Sequence, residues 1–268
     1  MTVAFLIISL LVSLICIFFT AMPLWLGILM LPLCFIVLLL PLVVIIIVAA
    51  AQTDISKPLE KRSRLSCLCC AAIADLLCTL GLMKISVTGR EKLPESRHFL
   101  IVSNHRSAAD PMALYKALGE YAIGFISKPS NMALPVLGKM AYGAGFLAID
   151  RENDRKALKT ILTAAGYIKK GLCSVCIYPE GTRSRNAELL PFHAGSFKIA
   201  QKANNAPVVV VCTSGTEKQG KNLKKLRPTH IRLDILEVIS PSRVGSMSSV
   251  ELADYSRDLI ARHLETIE

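Results

Sequence analysis

The first 53 residues of this 268-residue chain contain no aspartate, glutamate, lysine or arginine. All 31 basic and 20 acidic residues lie beyond Thr53, so the 53% apolar content is concentrated at one end. An uncharged stretch of that length excludes an ordinary water-soluble protein. Other absences narrow the chemistry. There is no Gly-x-Ser-x-Gly elbow, phosphate-loop signature, dinucleotide fingerprint or cluster of metal ligands. Cys173 and Cys176 have half a zinc spacing, but they flank a strand pattern, are expected on its opposite sides, and have no second pair at the right distance. No disulfide framework is implied by the nine cysteines, since Cys16, Cys34, Cys78 and Cys212 sit in apolar runs where a thiol behaves as a small hydrophobe. Zinc fingers, aromatic-rich RNA-binding strands and arginine-rich arms are also missing, which sets nucleic acid aside as the partner of a chain with formal charge +11.

The uncharged segment is punctuated by Pro23, Pro32 and Pro41. A bilayer-crossing helix needs about 20 apolar residues, so Val3 to Ala21 and Leu24 to Ala51 are each expected to suffice. Ala49-Ala50-Ala51 resembles a signal cleavage site, but no basic region precedes the stretch and it far exceeds the roughly 7 to 15 residues of a signal core. Residues 1–53 therefore read as a retained two-helix membrane anchor, either spanning or hairpin-like. Lys57, Lys61, Arg62 and Arg64 follow directly, and the positive-inside rule puts that side, with the globular part, in the cytoplasm at the inner membrane. Residues 54–83 read as a basic and apolar interfacial segment, lying on the membrane or capping the domain. Its Cys67, Cys69 and Cys70, next to a basic membrane edge, are candidates for acylation.

Residues 84–268 alternate short apolar runs with helical patterns, which predicts one α/β domain: a mostly parallel sheet of about seven strands flanked by helices. The expected strands are 85–88, 99–103, 122–127, 146–149, 174–178, 208–213 and 231–239; the expected helices are 111–118, 154–170, 196–203 and 249–266. Ser248, Ser249 and Glu251 form a plausible cap for the last helix.

Two loops carry candidate chemistry. After the strand ending at Ser103 comes Asn104-His105-Arg106-Ser107-Ala108-Ala109-Asp110. A spacing of five brings His105 and Asp110 together when the histidine occupies the turn and the aspartate the first helical turn. The carboxylate then fixes one imidazole tautomer and leaves the other nitrogen free to take a proton. After the strand ending at Tyr178 comes Pro179-Glu180-Gly181-Thr182-Arg183-Ser184-Arg185. There glycine allows close backbone approach, Thr182 and Ser184 donate hydrogen bonds, and the Arg183 guanidinium can grip a phosphate with two parallel bonds.

The order of these blocks resembles the phospholipid and glycerol acyltransferase family, nearest its bacterial lysophosphatidic acid acyltransferases. Gly145-Phe146-Leu147-Ala148-Ile149-Asp150-Arg151 looks like the family's second motif, and Ala206-Pro207-Val208-Val209-Val210-Val211 its fourth. The match spans about Gly89 to Gly215. It implies that His105 deprotonates an acceptor hydroxyl with Asp110 holding the ring, that Arg183 binds the acceptor phosphate in a loop shaped by Glu180, Gly181 and Thr182, that Lys128 stabilises the oxyanion or the phosphate, and that Arg151 adds a phosphate contact or braces the site through Asp150. It implies no cofactor and no metal, with acyl-coenzyme A or acyl carrier protein as co-substrate, and lysophosphatidic acid and membrane lipids as partners. The alternatives are another lysophospholipid or an aminolipid as acceptor, or a noncatalytic protein binding anionic lipid. One departure bears on acceptor choice: where many relatives have Phe-Lys-x-Gly, this chain has Phe192-His193-Ala194-Gly195. Another is Val210, where the fourth motif usually has a second proline.

Overall fold

Seven apolar or alternating runs form strands in the computed structural model, which describes residues 1–19, 23–95, 98–184 and 188–267. They are β1 (Met83–Thr88), β2 (Leu100–Ser103), β3 (Ile123–Ser127), β4 (Leu147–Ala148), β5 (Ser174–Ile177), β6 (Val208–Ser214) and β7 (Thr229–Ile239). One sheet takes all seven in the order β1-β7-β6-β2-β5-β3-β4. Every neighbouring pair is parallel except β6 with β7. The helices are α1 (Thr2–Phe19), α2 (Leu24–Ala51), α3 (Arg64–Leu80), α4 (Asp110–Leu118), α5 (Pro129–Met132), α6 (Leu137–Gly143), α7 (Asp154–Lys169), α8 (Lys198–Lys202), α9 (Gln219–Leu223), α10 (Pro241–Ser246) and α11 (Ser249–Ile267).

Strands β2 and β5 are buried at every position, which is why they read as continuous apolar runs rather than alternating ones. Their residues divide between two cores. Leu100, Val102, Val175, Ile177, Val208 and Val210 pack with α7, α8 and α11 on one face. Phe99, Ile101, Cys176, Tyr178, Val209 and Val211 pack with α3 and α4 on the other. Cys173 and Cys176 fall in opposite cores, as their spacing predicts. The cap of α11 is a reciprocal box, with Ser248 N–H donating to Glu251 and Glu251 N–H to the Ser248 hydroxyl.

Several expectations need correction. β4 shrinks to two residues, and the helix expected at 196–203 starts as a 3-10 turn at Ala194–Phe197. Helices α5, α6, α9 and α10 were not expected, because each is shorter than the two turns a hydrophobic period needs to declare itself. Among the described residues α2 alone is long and apolar enough to cross a bilayer, and it runs unbroken through Pro32 and Pro41. α1 covers most of the first expected apolar span, whose last residues, Thr20 and Ala21, lie outside the described residues.

The two N-terminal helices pack side by side with both ends on the domain. The helices touch closely enough that a Cβ added at Gly27 would collide with the Ile17 side chain. At the other end Thr2 donates from its amide and its hydroxyl to Asp75 of α3, and Ala49 and Ala50 are buried against Cys69 and Cys70. The pair exposes large apolar side chains such as Leu24, Trp25 and Ile28, at 67%, 62% and 63%. Helix α3 caps the domain instead of lying loose. Its Cys69 and Cys70 are buried, with the Cys70 thiol pushed up to about 12 by burial, and that packing counts against acylation there.

Candidate active site

Four adjacent parallel strands, β2, β5, β3 and β4, end along one edge of the sheet, and every site residue expected from the sequence follows one of those ends. His105 and Asp110 follow β2, Glu180 to Arg183 follow β5, Lys128 follows β3, and Arg151 follows β4. Ligands bind at the carboxyl edge of parallel sheets because the strands fix the loops there.

The β2 loop is anchored by its own first residue. The Asn104 side chain exchanges two hydrogen bonds with the Thr213 backbone, at 2.8 and 2.7 Å, extending the β2–β6 ladder by one artificial rung. His105 comes next. Its Nδ1 lies 2.8 Å from Asp110 Oδ2, and the same oxygen accepts the Arg106 and Ser107 amides at 2.8 Å each. Asp110 is fully buried at the first turn of α4, where the helix dipole favours a negative charge. With Nδ1 committed to Asp110, Nε2 remains to exchange a proton.

The third-motif loop is tied to the first through the His105 backbone. His105 N–H donates to Glu180 Oε1 at 2.5 Å, and His105 C=O accepts from Ser184 N–H at 2.9 Å. Glu180 Oε2 accepts the Leu190 amide at 3.0 Å. Burial pushes the Glu180 carboxyl up, while the amides of His105 and Leu190 pull against that rise. Both oxygens of Glu180 are spent on backbone amides and its side chain is buried, so it joins the two loops and offers no oxygen to a ligand. Tyr178, which the sequence reading passed over, stacks on the His105 ring at 4.3 Å between centroids and 19° between planes.

His105, Lys128, Arg151, Gly181, Thr182 and Arg183 all line one cavity of about 540 Å³. Its lining contains no aspartate or glutamate among the described residues. The cations stand at its mouth, and its inner wall is apolar: Phe125, Met112, Met140 and Phe146, with Cys70 and Ile73 of α3. Gly181 has φ +74, and the ring of His193 lies 3.1 Å from where its Cβ would be. His193 N–H also donates to the Pro179 carbonyl at 2.9 Å, so this histidine packs the loop. Asp150 pairs with Lys156 at 3.4 Å and accepts the Glu152 amide, and no hydrogen bond or ion pair joins it to Arg151 among the described residues. Arg185, the last residue of the third block, lies outside the described residues.

The inner wall could not be read from sequence, because its residues come from five separate segments. The Asn104 and Tyr178 contacts had a signal, a polar and an aromatic residue directly at strand ends, but no rule assigns them partners.

The arrangement can act as a base: a histidine oriented by a carboxylate stands on a cavity with exposed cations and an apolar interior. Comparisons with known proteins agree with it. The Acyltransferase family model matches residues 84–214. The 1-acyl-sn-glycerol-3-phosphate acyltransferase of Salmonella typhimurium is 30% identical over 169 residues, covering 63% of this chain and 68% of that protein. The Escherichia coli enzyme of the same name gives the same figures. Human 1-acyl-sn-glycerol-3-phosphate acyltransferase beta is 30% identical over 172 residues, 64% of this chain and 62% of its own. The crystal structure of PlsC, the 1-acyl-sn-glycerophosphate acyltransferase of Thermotoga maritima, superposes with a TM-score of 0.62 at 24% identity, covering 76% of this chain and 80% of that one. This chain belongs to the acyltransferase family that contains the 1-acyl-sn-glycerol-3-phosphate acyltransferases.

Proposed function

We propose that the protein transfers a fatty acyl group from the thioester of coenzyme A or acyl carrier protein to the sn-2 hydroxyl of 1-acyl-sn-glycerol-3-phosphate, forming phosphatidic acid. The observation that carries this reading is the His105–Asp110 pair on a cavity with a cationic mouth and an apolar interior. The names of the relatives supply the acceptor.

In this reading His105 Nε2 takes the proton of the acceptor hydroxyl as its oxygen attacks the thioester carbonyl. Asp110 stabilises the imidazolium and holds its orientation. Lys128 lies where a cation can stabilise the oxyanion or the phosphate. The tetrahedral intermediate collapses with loss of thiolate, which recovers the proton from His105. No acyl-enzyme, cofactor or metal enters the scheme. Arg183 and Arg151 hold the acceptor phosphate, Gly181 and Thr182 shape the loop, and the apolar wall receives an acyl chain. The N-terminal helices keep the enzyme in the inner membrane with its domain on the cytoplasmic side, where acceptor and product dissolve in the bilayer and the donor in water.

The test is incubation of the purified enzyme with each thioester donor and a panel of lyso-acceptors, following thiol release and lipid products. Phosphatidic acid should form fastest. His105→Ala should lower the rate by roughly 10² to 10⁴, the usual scale for a general base. Full activity in that variant would falsify the role of His105, and preference for a phosphate-free acceptor would overturn the acceptor assignment.

A further inference from the structure

The chain between Lys218 and Arg227 holds Lys218, Lys221, Lys224, Lys225 and Arg227 with no acidic residue among them. All five are exposed, and none forms an ion pair among the described residues. In their midst Leu226 is 82% exposed, a very high exposure for a large apolar residue in the folded domain. Its φ is +50, in the left-handed region that bulky side chains avoid. The loop is not loose: Leu226 N–H donates to Leu223 C=O, Arg227 N–H to Asn222 C=O, and the Asn222 side chain to Thr229. A strained backbone held by its own hydrogen bonds so as to present a leucine to solvent calls for a functional reason.

Its position supplies one. The loop follows β6 on the catalytic edge of the sheet, and Glu217 at its start pairs with Arg106, the residue after His105, at 3.9 Å. It also abuts the end of α3. The Gln219 side chain donates to Gly81 C=O, and Thr229 N–H donates to Leu82 C=O. There Leu77, Leu80 and Leu82 are exposed at 46%, 46% and 37%. One to two turns back along α3, Asp75 receives Thr2 from the base of the apolar hairpin, about 8 Å from Leu80 along the helix axis. Exposed leucines thus run from the hairpin base along the end of α3 to the cationic 218–227 loop, which begins beside the residue after His105.

We propose that the 218–227 loop is a second membrane contact, in which its five cations bind head-group phosphates of anionic phospholipid while Leu226 enters the acyl boundary. Docking there would seat the catalytic edge on the bilayer from which the acceptor is drawn. The charges alone would also suit an acidic carrier protein, but the leucines and the continuity with the hairpin favour lipid. The proposal rests on the reading that the hairpin lies in a bilayer, and the native Trp25 of α2 reports on that separately.

The test uses the full chain in vesicles of phosphatidylcholine, with or without phosphatidylglycerol, with bromines on the acyl chains to quench tryptophan. The wild type reports through Trp25, and a Trp25→Phe, Leu226→Trp variant through position 226. We expect Trp25 to be quenched in both lipids, and the tryptophan at 226 in the anionic vesicles only. Replacing Lys221, Lys224 and Lys225 by alanine should lower the docking equilibrium constant roughly 10²-fold, at about fivefold per lysine. Quenching at Trp25 without quenching at 226 overturns the loop contact alone, and equal quenching at 226 in neutral vesicles overturns its anionic character. A blue shift at 226 that requires added acyl carrier protein gives the loop to that partner instead. Absence of quenching at both sites overturns the loop contact and the hairpin reading together.

Discussion

At the scale of single residues, the two carboxylates beside the cavity do different work because they face different partners. Asp110 spends one oxygen on the His105 ring and two amides, whereas Glu180 spends both on the amides of His105 and Leu190. Glutamine at 180 keeps the shape but offers one acceptor where two amides need one each. Leaving a buried amide unpaired costs about 1–3 kcal/mol. Glu180→Gln should therefore lower the melting temperature and also kcat, since it releases the backbone of His105. Arg183 is exposed, and no hydrogen bond or ion pair joins its side chain to another described residue. Arg183→Ala should leave the melting temperature unchanged and raise the KM for the phosphate acceptor about tenfold to 10²-fold, as loss of a charge-assisted bond implies. Thermal melts and steady-state kinetics on the two variants separate a residue that builds the loop from one that grips a ligand.

At the scale of elements, the sheet's far side is held by a second histidine–aspartate pair with a structural role. Asp234 on β7 accepts from Thr88 on β1 at 2.6 Å, lies 2.9 Å from His263 on α11, and sits beside Arg232. Burial alone would raise its carboxyl, but the hydrogen bonds from Thr88 and His263 and the nearby Arg232 hold it below the usual carboxylate range. A depressed folded value means the stability it contributes is complete above the unfolded value of about 3.9 and is lost as pH falls through the folded value. Asp234→Asn should therefore lower the melting temperature at neutral pH and flatten its decline in acid. An unchanged acid limb in the variant would assign that decline to other carboxylates.

At the scale of the whole molecule, a charge of +11 concentrated outside the first 53 residues gives the domain a long-range attraction for anionic molecules and surfaces. The Debye length falls from about 30 Å at 0.01 M salt to about 8 Å at 0.15 M. Raising salt across that range should lower kcat/KM for a coenzyme A thioester several-fold while leaving kcat at saturation nearly constant. Equal loss of both would point instead to damage at the cationic mouth formed by Lys128, Arg151 and Arg183.

What the sequence determined by itself is whatever local pattern can encode. The uncharged N-terminus, the buried strands β2, β5 and β6, the turn that pairs His105 with Asp110, and each of the four family blocks can be read along the chain without knowing which distant segments meet. The existence of β1 and β7 was likewise legible from their apolar runs, though not the reversal that sets β7 antiparallel to β6. Tertiary structure decided the rest, because those features depend on distant segments meeting. Glu180 became a strut once the β2 loop came within reach. Cys70 became cavity wall once α3 packed over the sheet, and α5 and α6 closed that cavity although each is too short to announce itself. Leu226 gained its exposure and its neighbours when β7 paired with β1 beside the end of α3. Local chemistry named the reacting groups; packing at long range determined which of them face the cavity, the backbone or the surface.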